Sequence, residues 1–162
     1  MINSSILEKL MPITEEESAI LRGEGVDKSI YTTTGGSTVR YKKLLSDGKL
    51  ISVRKHTRFA RFPEHTHDYI EAVYMCRGET THVINGKELR LREGELLILG
   101  QNARQEILPA GEGDIAINFI IQPVFFDKTL EMLGAEETPI KKFLISSLFD
   151  GDYRGYLHFK VS

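Results

Sequence analysis

The stretch that decides the fold is His-Thr-His-Asp-Tyr-Ile-Glu at residues 65–71, followed by Gly78. Side chains two residues apart on a β-strand point to the same face, so His65 and His67 share a face. Glu71 falls on that face as well if the strand stays regular. Two imidazoles and one carboxylate then converge, and this predicts a polar patch that faces a ligand inside a sheet.

Two interpretations of this patch follow from the residue types. Two histidines and one carboxylate are the ligand set of a metal centre, suited to Fe(II), Mn or Zn with positions left open for substrate. Paired histidines are also common as hydrogen-bonding walls of a pocket for an organic molecule. The spacing of His65, His67 and Glu71 alone leaves both interpretations open.

Composition narrows the class of protein. A length of 162 residues fits one domain, and 21 Lys and Arg against 23 Asp and Glu leave no basic surface for gripping phosphates. The sequence has a single cysteine, Cys76, no signal peptide and no apolar run near ~18 residues, so we expect a cytoplasmic protein that does not enter a membrane. The chain also lacks a Gly-rich phosphate loop and a Gly-x-Ser-x-Gly elbow, which argues against nucleotide hydrolysis and serine-type catalysis.

The order of elements is helices, then strands, then helices. Thr14 with Glu17 is a capping-box signature for an early helix, and Asn85-Gly86 between two alternating segments predicts a β-hairpin. Later, apolar residues at helical spacing and Thr138-Pro139 predict two closing helices. The predicted divisions are an arm with short helices at 1–29, a β-body at 30–123, and closing helices with the start of a linker at 124–162.

The segment from Phe59 to Gly78 resembles the first motif of the cupin family. That motif, His-x-His, three residues, Glu, six residues, Gly, is carried here by His65, His67, Glu71 and Gly78, with Phe59 at the usual leading Gly. Residues 94–105 resemble the second motif, except that Gln101 replaces its Pro and Gln105 replaces its His. A Gln oxygen is a weak, neutral donor to a divalent cation, so this substitution counts against a metal.

The whole layout is similar to the amino-terminal sensing domain of AraC-type transcription regulators. The resemblance implies a mainly β fold, a cupin barrel (double-stranded β-helix or jelly roll) with short N-terminal helices and C-terminal helices. It also implies a small-molecule effector in the barrel, a homodimer through the C-terminal helices, and DNA binding only through a separate helix-turn-helix domain. That domain is missing from these residues, so we expect the sequence to be cut from a longer protein.

Six side chains are candidate ligand-binding residues: His65, His67, Glu71, His82, Gln105 and Asn118. His82 shares its strand face with Thr80 and Ile84, and that face looks either into the barrel or toward solvent. Asn118 interrupts the apolar run 115–121, where an amide needs a partner, either a ligand or a neighbouring backbone group.

Three arginines on the early strands, Arg40, Arg54 and Arg58, are also able to meet a carboxylate or a hydroxyl-rich effector. We expect at least two of the three to be solvated instead.

The leading hypothesis is a sensor that is not an enzyme and needs no cofactor, in which a small polar, sugar-like metabolite shifts a conformational equilibrium. The rival is a metal-dependent isomerase or dioxygenase in which His65, His67 and Glu71 hold the metal. In that rival, Gln105 is a weak fourth ligand or a substrate contact. A third hypothesis is an interaction module that dimerises through the helices at 124–149 and binds nothing.

Overall fold

The structure, a computed structural model, describes residues 2–32 and 36–162. Its elements are α1 (Ser4–Leu10), α2 (Glu15–Leu21), a 3-10 helix (Lys28–Ile30), β1 (Thr38–Val39), α3 (Tyr41–Leu44), β2 (Ile51–Lys55), β3 (Phe62–His67), β4 (Ile70–Arg77), β5 (Glu79–Ile84), β6 (Lys87–Arg92), β7 (Leu96–Leu99), β8 (Gln105–Ile107), β9 (Ile115–Ile121), a second 3-10 helix (Pro123–Phe125), α4 (Phe126–Met132), α5 (Pro139–Phe149) and β10 (Tyr156–Phe159).

The strands form two five-stranded sheets. One has the order β1-β3-β8-β5-β6 and the other the order β10-β7-β4-β9-β2. The pairs are antiparallel except for β1 with β3. The mainly β fold with flanking helices that the sequence predicts is therefore confirmed.

The hairpin between β5 and β6 forms for the reason expected from its sequence. Asn85 and Gly86 have φ angles of 51° and 82°, which is the backbone that a type I′ turn requires. The Asn85 side chain then ties the turn to its surroundings, because its Oδ1 accepts from the Arg104 backbone N–H and its Nδ2 donates to the Arg154 carbonyl. Ile84 pairs with Lys87 across this turn, and that register directs the even-numbered residues of β5 inward.

The apolar core fills one end of the space between the sheets. Residues from both sheets meet there: Val73, Met75, Ile84, Leu91, Leu97, Leu99, Ala103 and Ala116. Toward the other end the inward-facing rows become polar, with Glu71 two residues before Val73 and Asn118 two residues after Ala116. One end of the barrel is thus packed, and the other carries polar groups.

The N-terminal arm is attached to the barrel by a buried ion pair. The capping box predicted from Thr14 and Glu17 is present at the start of α2. Glu17 also accepts a 2.7 Å hydrogen bond from Nη2 of Arg58, and both side chains are fully buried. The same guanidinium donates to the Met11 carbonyl at 3.0 Å. Arg58 is therefore neither solvated nor part of a ligand site, and its role is to hold the arm.

The C-terminal segment closes back onto the barrel. Phe143 and Leu144 of α5 pack with Phe126 and with Ile70 of β4. β10 then pairs antiparallel with β7, so residues 156–159 belong to the sheet and do not begin a linker as the sequence suggested. Among the described residues, the helices are all too short and too polar to cross a bilayer.

Candidate ligand-binding cavity

Glu71 does not continue the strand that carries the two histidines. β3 ends at His67 and β4 begins at Ile70, so the expectation of one regular strand is wrong. The bend between them is stabilised by a 2.7 Å hydrogen bond from His67 Nδ1 to the Tyr69 carbonyl. The bend still brings the groups together, because the Glu71 carboxylate lies 3.2 Å from His67 Nε2.

A chain of buried hydrogen bonds extends from Glu71 into the other sheet. The Gln105 amide donates to Glu71 Oε2 at 2.8 Å, and its Oε1 lies 3.1 Å from Nδ1 of His82. An amide oxygen only accepts, so His82 carries its proton on Nδ1. Its Nε2 then accepts from the Thr80 hydroxyl at 3.0 Å. Of the two orientations that the sequence left open for His82, the structure has the inward one, with the side chain fully buried.

His67 lies next to this chain. Its Nδ1 donates to the Tyr69 carbonyl, and its Nε2 makes no hydrogen bond with any described residue. The direction of Nε2 is poor for a hydrogen bond, although the 3.2 Å separation is that of a close ionic contact. Burial acts to raise the pKa of Glu71, but the contact with His67 and the charges of the surrounding histidines outweigh it and lower this pKa to about 2.

Two of the four candidate metal ligands are engaged with each other, and the two histidines each bond a backbone carbonyl through Nδ1. His65 directs its Nδ1 to the Pro63 carbonyl at 2.8 Å, while Glu71 and Gln105 bond to each other. Within residues 2–32 and 36–162, no three His, Cys, Asp or Glu side chains are arranged to hold a metal ion. The donor set therefore does not fit a metal in this arrangement.

A cavity of about 190 Å³ opens at the polar end of the barrel. Three of the six candidate residues line it, namely His65, Glu71 and Asn118. The other three, His67, His82 and Gln105, are not part of the lining. Glu71 connects the two sets, because it lies 3.2 Å from His67 and accepts from Gln105, which in turn contacts His82.

Two buried polar atoms of residues that line the cavity have no hydrogen-bond partner within the part of the chain that the structure describes. They are Nε2 of His56 and Oδ1 of Asn118, and both residues contribute to the lining. Burial, together with the nearby His82, lowers the pKa of His56 to about 4, so its imidazole is neutral at pH 7. Buried polar atoms are nearly always hydrogen-bonded, and a ligand in the cavity would supply the missing bonds.

Sequence analysis did not single out His56. It lies directly after β2, two residues beyond Arg54, so on an extended chain both side chains point to one face. The spacing of two residues from Arg54 was therefore the feature of the sequence that could have identified His56.

Arg54 is the arginine of the three candidates that lines the cavity. Its guanidinium lies 5.2 Å from the centre of the Tyr31 ring, and it forms no hydrogen bond or ion pair with any described residue. Arg40 is exposed and lies 3.6 Å from Asp68, and Arg58 is committed to the arm. The expectation that most of these arginines face solvent holds for Arg40 alone.

The arm contacts the cavity wall directly. Tyr31 and Thr57, which both line the cavity, donate to the Glu16 carboxylate of α2 at 2.6 and 3.2 Å. Burial and this carboxylate raise the pKa of Tyr31 to about 12, so its hydroxyl stays protonated. The position of α2 is thereby linked to the shape of the cavity.

Residues 50–127 match the family model of the AraC-like ligand binding domain. This region contains most of the barrel and most of the cavity lining. The match confirms the resemblance on which the sequence-based assignment depended. No curated protein matches the chain significantly.

Solved structures with a similar fold share little sequence with this chain. ToxT from Vibrio cholerae, solved with an unsaturated fatty acid bound, is 13% identical with a TM-score of 0.47, covering 70% of this chain and 41% of ToxT. The putative ethanolamine utilization protein Q from Salmonella typhimurium is 16% identical with a TM-score of 0.38, covering 48% of this chain and 61% of that one. A cupin-2 domain containing protein from Shewanella frigidimarina is 16% identical with a TM-score of 0.36, covering 44% of this chain and 68% of that one. The chain thus spans less than two thirds of the first two.

Proposed function

Because residues 50–127 are an AraC-like ligand binding domain, we propose that this chain is the sensing and dimerising part of a cytoplasmic transcription regulator. A small polar effector, with sugar-like metabolites as the first class to test, binds in the cavity. Its binding shifts a conformational equilibrium that controls DNA binding by a helix-turn-helix domain elsewhere in the full protein. The chain catalyses no reaction.

The observation that carries this proposal is a cavity with unmet hydrogen bonds. His56 and Asn118 line a space of about 190 Å³, and each has a buried polar atom without a hydrogen-bond partner among the described residues. A cavity of about 150 Å³ holds benzene, so this one suits a molecule of one ring or similar size. A ligand bound there would give each of the two buried polar groups a hydrogen-bond partner. The unmet hydrogen bonds therefore favour a cavity that a ligand fills.

The arm provides a route from binding to regulation. An effector that displaces or strengthens the contacts of Tyr31 and Thr57 with Glu16 changes the free energy of the docked arm. A differential affinity of about 1.4 kcal/mol between two states shifts their ratio tenfold, which one buried hydrogen bond can supply.

The proposed dimer surface is the outer face of the C-terminal helices. Met132 and Phe149 are 86% and 73% exposed there, and Ile140 and Ile145 of α5 are also exposed. Exposed apolar side chains on neighbouring helices are the feature that supports an interaction site there. This surface is separate from the cavity, so a homodimer would leave the effector site open.

We also propose that the site works without a metal. The support is the hydrogen bond between Glu71 and Gln105, which engages two of the four candidate ligands with each other. Protein purified without chelator is expected to contain only substoichiometric Fe, Mn or Zn by elemental analysis. A stoichiometric metal that is lost in His67→Ala would support the metal-enzyme alternative.

The test of effector binding is a thermal-shift screen with a blocked-cavity variant. Defined sugars, sugar acids, aromatic acids and amino acids are added singly to the protein. A compound at a hundred times its Kd stabilises the fold by about 2.7 kcal/mol, which is roughly 5–10 °C in Tm for a domain of this size. Leu44→Trp, which places a large ring in the cavity, should abolish the shift, whereas Leu50→Trp on an exposed position should not. The absence of a shift with every compound would contradict the proposal.

A further inference from the structure

We propose that the effector is a small carboxylic acid whose carboxylate is bound by Arg54 and whose apolar or aromatic body fills the rest of the cavity. This inference depends on the proposed function, since it names the chemical class of a ligand for the same site. It is carried by the charges of the cavity wall, by the placement of Arg54 and by the apolar remainder of the lining.

Cations outnumber carboxylates on the cavity wall, which carries Lys28, Arg54 and Lys55 against Glu64 and Glu71. Glu71 lies 3.2 Å from His67 and accepts a hydrogen bond from the neutral Gln105, and Glu64 lies 3.4 Å from Arg104. The wall ammonium of Lys55 is likewise paired, 3.3 Å from Glu17. Two cations remain, Arg54 and Lys28, and neither makes an ion pair with any described residue.

An anion in the cavity would therefore pair with the cations of the wall. A guanidinium that is partly withdrawn from water is stabilised by a negatively charged acceptor more than by a neutral one, because hydrogen bonds between charged partners are roughly twice as strong. A neutral sugar would leave the charge of Arg54 without a counterpart.

The neighbours of Arg54 define the orientation of its guanidinium. It pairs directly with Asn118 across β2 and β9, so the two side chains share the inner face of the sheet. The Tyr31 ring lies 5.2 Å from the guanidinium and limits its rotation. A planar guanidinium held in one orientation suits a carboxylate, which it can bind through two parallel N–H bonds.

The remainder of the lining indicates what the carboxylate is attached to. It is mostly apolar, with Val39, Leu44, Phe62, Tyr69, Ile107 and Ile120 around the space. His56 follows Arg54 by two residues, roughly 7 Å along an extended strand, and its unpartnered Nε2 can bond a hydroxyl. The chemistry of the wall thus fits a ring-sized apolar acid with a polar group away from the carboxylate.

Matched pairs of ligands test this class by isothermal titration calorimetry. Each pair has one body and differs only in charge: 4-hydroxybenzoate with 4-hydroxybenzamide, hexanoate with hexanamide, and glucuronate with glucuronamide. Neutral pentoses and hexoses complete the set. The expected result is that an acid binds and its amide binds at least tenfold more weakly.

Variants of Arg54 assign the difference to this residue. Arg54→Gln should weaken binding of the acid by roughly ten- to a hundredfold, because a hydrogen-bonded charge is lost, and should leave binding of the amide unchanged. Arg54→Lys should retain part of the affinity. Arg90→Gln removes the same charge from β6, which contributes nothing to the lining, and should bind as the parent does.

The outcomes separate this inference from the proposed function. A neutral compound that binds as tightly as any acid, with an affinity that Arg54→Gln does not alter, would overturn the carboxylate class while leaving effector binding intact. Failure of acids, amides and sugars alike to bind the parent protein would overturn both.

Discussion

At the scale of single residues, Gln105 is the centre of the polar cluster. It stands where the cupin motif has a histidine, and it bonds to Glu71 on one side and His82 on the other. An amide can donate and accept at once, so it joins a carboxylate to a neutral imidazole without a metal between them. The glutamine whose presence in the sequence counts against a metal site is therefore the residue that joins the two halves of the hydrogen-bond chain.

Truncation of Gln105 should be costly. Gln105→Ala removes a buried hydrogen-bond donor from Glu71 and leaves the buried His82 Nδ1–H without an acceptor, so we expect a loss of about 2–4 kcal/mol in the free energy of unfolding, measured in urea. Gln122→Ala removes one hydrogen bond at the surface, to the Lys49 carbonyl, and should cost under about 1 kcal/mol. Equal losses in the two variants would show that the chain does not stabilise the barrel.

His56 should make the stability of the fold depend on pH. Its pKa is about 4 in the folded protein and near the ordinary 6.5 when unfolded, so unfolding takes up a proton between these values. Stability should therefore fall as the pH drops from about 6.5 to 4, by up to about 3 kcal/mol from this residue. Urea unfolding at a series of pH values should show a shallower decline for His56→Gln.

Other buried histidines also contribute to the loss of stability at acidic pH. Burial also lowers the pKa of His65 and His82, so some decline with acid should persist in His56→Gln. A variant whose decline is as steep as that of the parent would contradict the assignment of a neutral, buried imidazole to His56.

The sequence located the polar cluster but not all of its cavity-facing members. Strand parity indicated His82, and the interruption of an apolar run indicated Asn118; each lies within a regular strand. The pairing of Arg54 with Asn118 was not foreseen, because it depends on which strands become neighbours. The pairing of β2 with β9 is a contact between residues far apart in the chain, and no local pattern specifies it.

At the scale of elements, the break between β3 and β4 and the docking of α2 shape the site. Two bent residues, Asp68 and Tyr69, turn one expected strand into two, and each joins a different sheet. The helix α2 was predicted from its capping box, but its buried ion pair was not, since Arg58 lies 41 residues further along the chain.

Removal of Glu17 should release the arm. Glu17→Ala leaves the Arg58 charge buried without its carboxylate, and we expect a loss of about 3–5 kcal/mol in the free energy of unfolding. Hydrogen exchange should increase across α1 and α2. Glu24→Ala disrupts an exposed pair with Arg22 and should cost less than about 1 kcal/mol.

A double variant distinguishes the ion pair from a general weakness of the arm. Glu17→Met with Arg58→Met replaces both charges by apolar groups and should recover much of the stability lost in Glu17→Ala. If Glu17→Ala were no less stable than Glu24→Ala, the buried pair would not be what holds the arm.

Two glycines in turns should differ in their tolerance of a side chain. Gly78 and Gly86 have φ angles of 75° and 82°, so alanine is strained at both, by about 1 kcal/mol. At Gly78 an added Cβ would also meet Asp114, with its Oδ1 too close and its Cα at 3.1 Å. That carboxylate cannot easily move, because it accepts from the Glu79 backbone N–H.

Gly78→Ala should therefore lower the Tm clearly more than Gly86→Ala does, by differential scanning calorimetry. An equal loss in both variants would mean that the contact with Asp114 relaxes at no cost.

At the scale of the whole molecule, the barrel has two unlike ends. One is filled by the apolar cluster, and the other holds a cavity whose wall includes a positive, unpaired Arg54 and contacts from α2. The general architecture could be predicted because alternation, turns and caps are local features. The position and size of the cavity could not be predicted, because they depend on how the two sheets pack.

Whether a small molecule binds in this cavity is decided by a crystal structure of the protein with the tightest-binding compound from the titrations. We expect density for that compound inside the barrel, with a carboxylate on Arg54 and polar contacts to His56 or Asn118. Density for the compound only on the outer surface, with the cavity empty or filled by side chains, would contradict it.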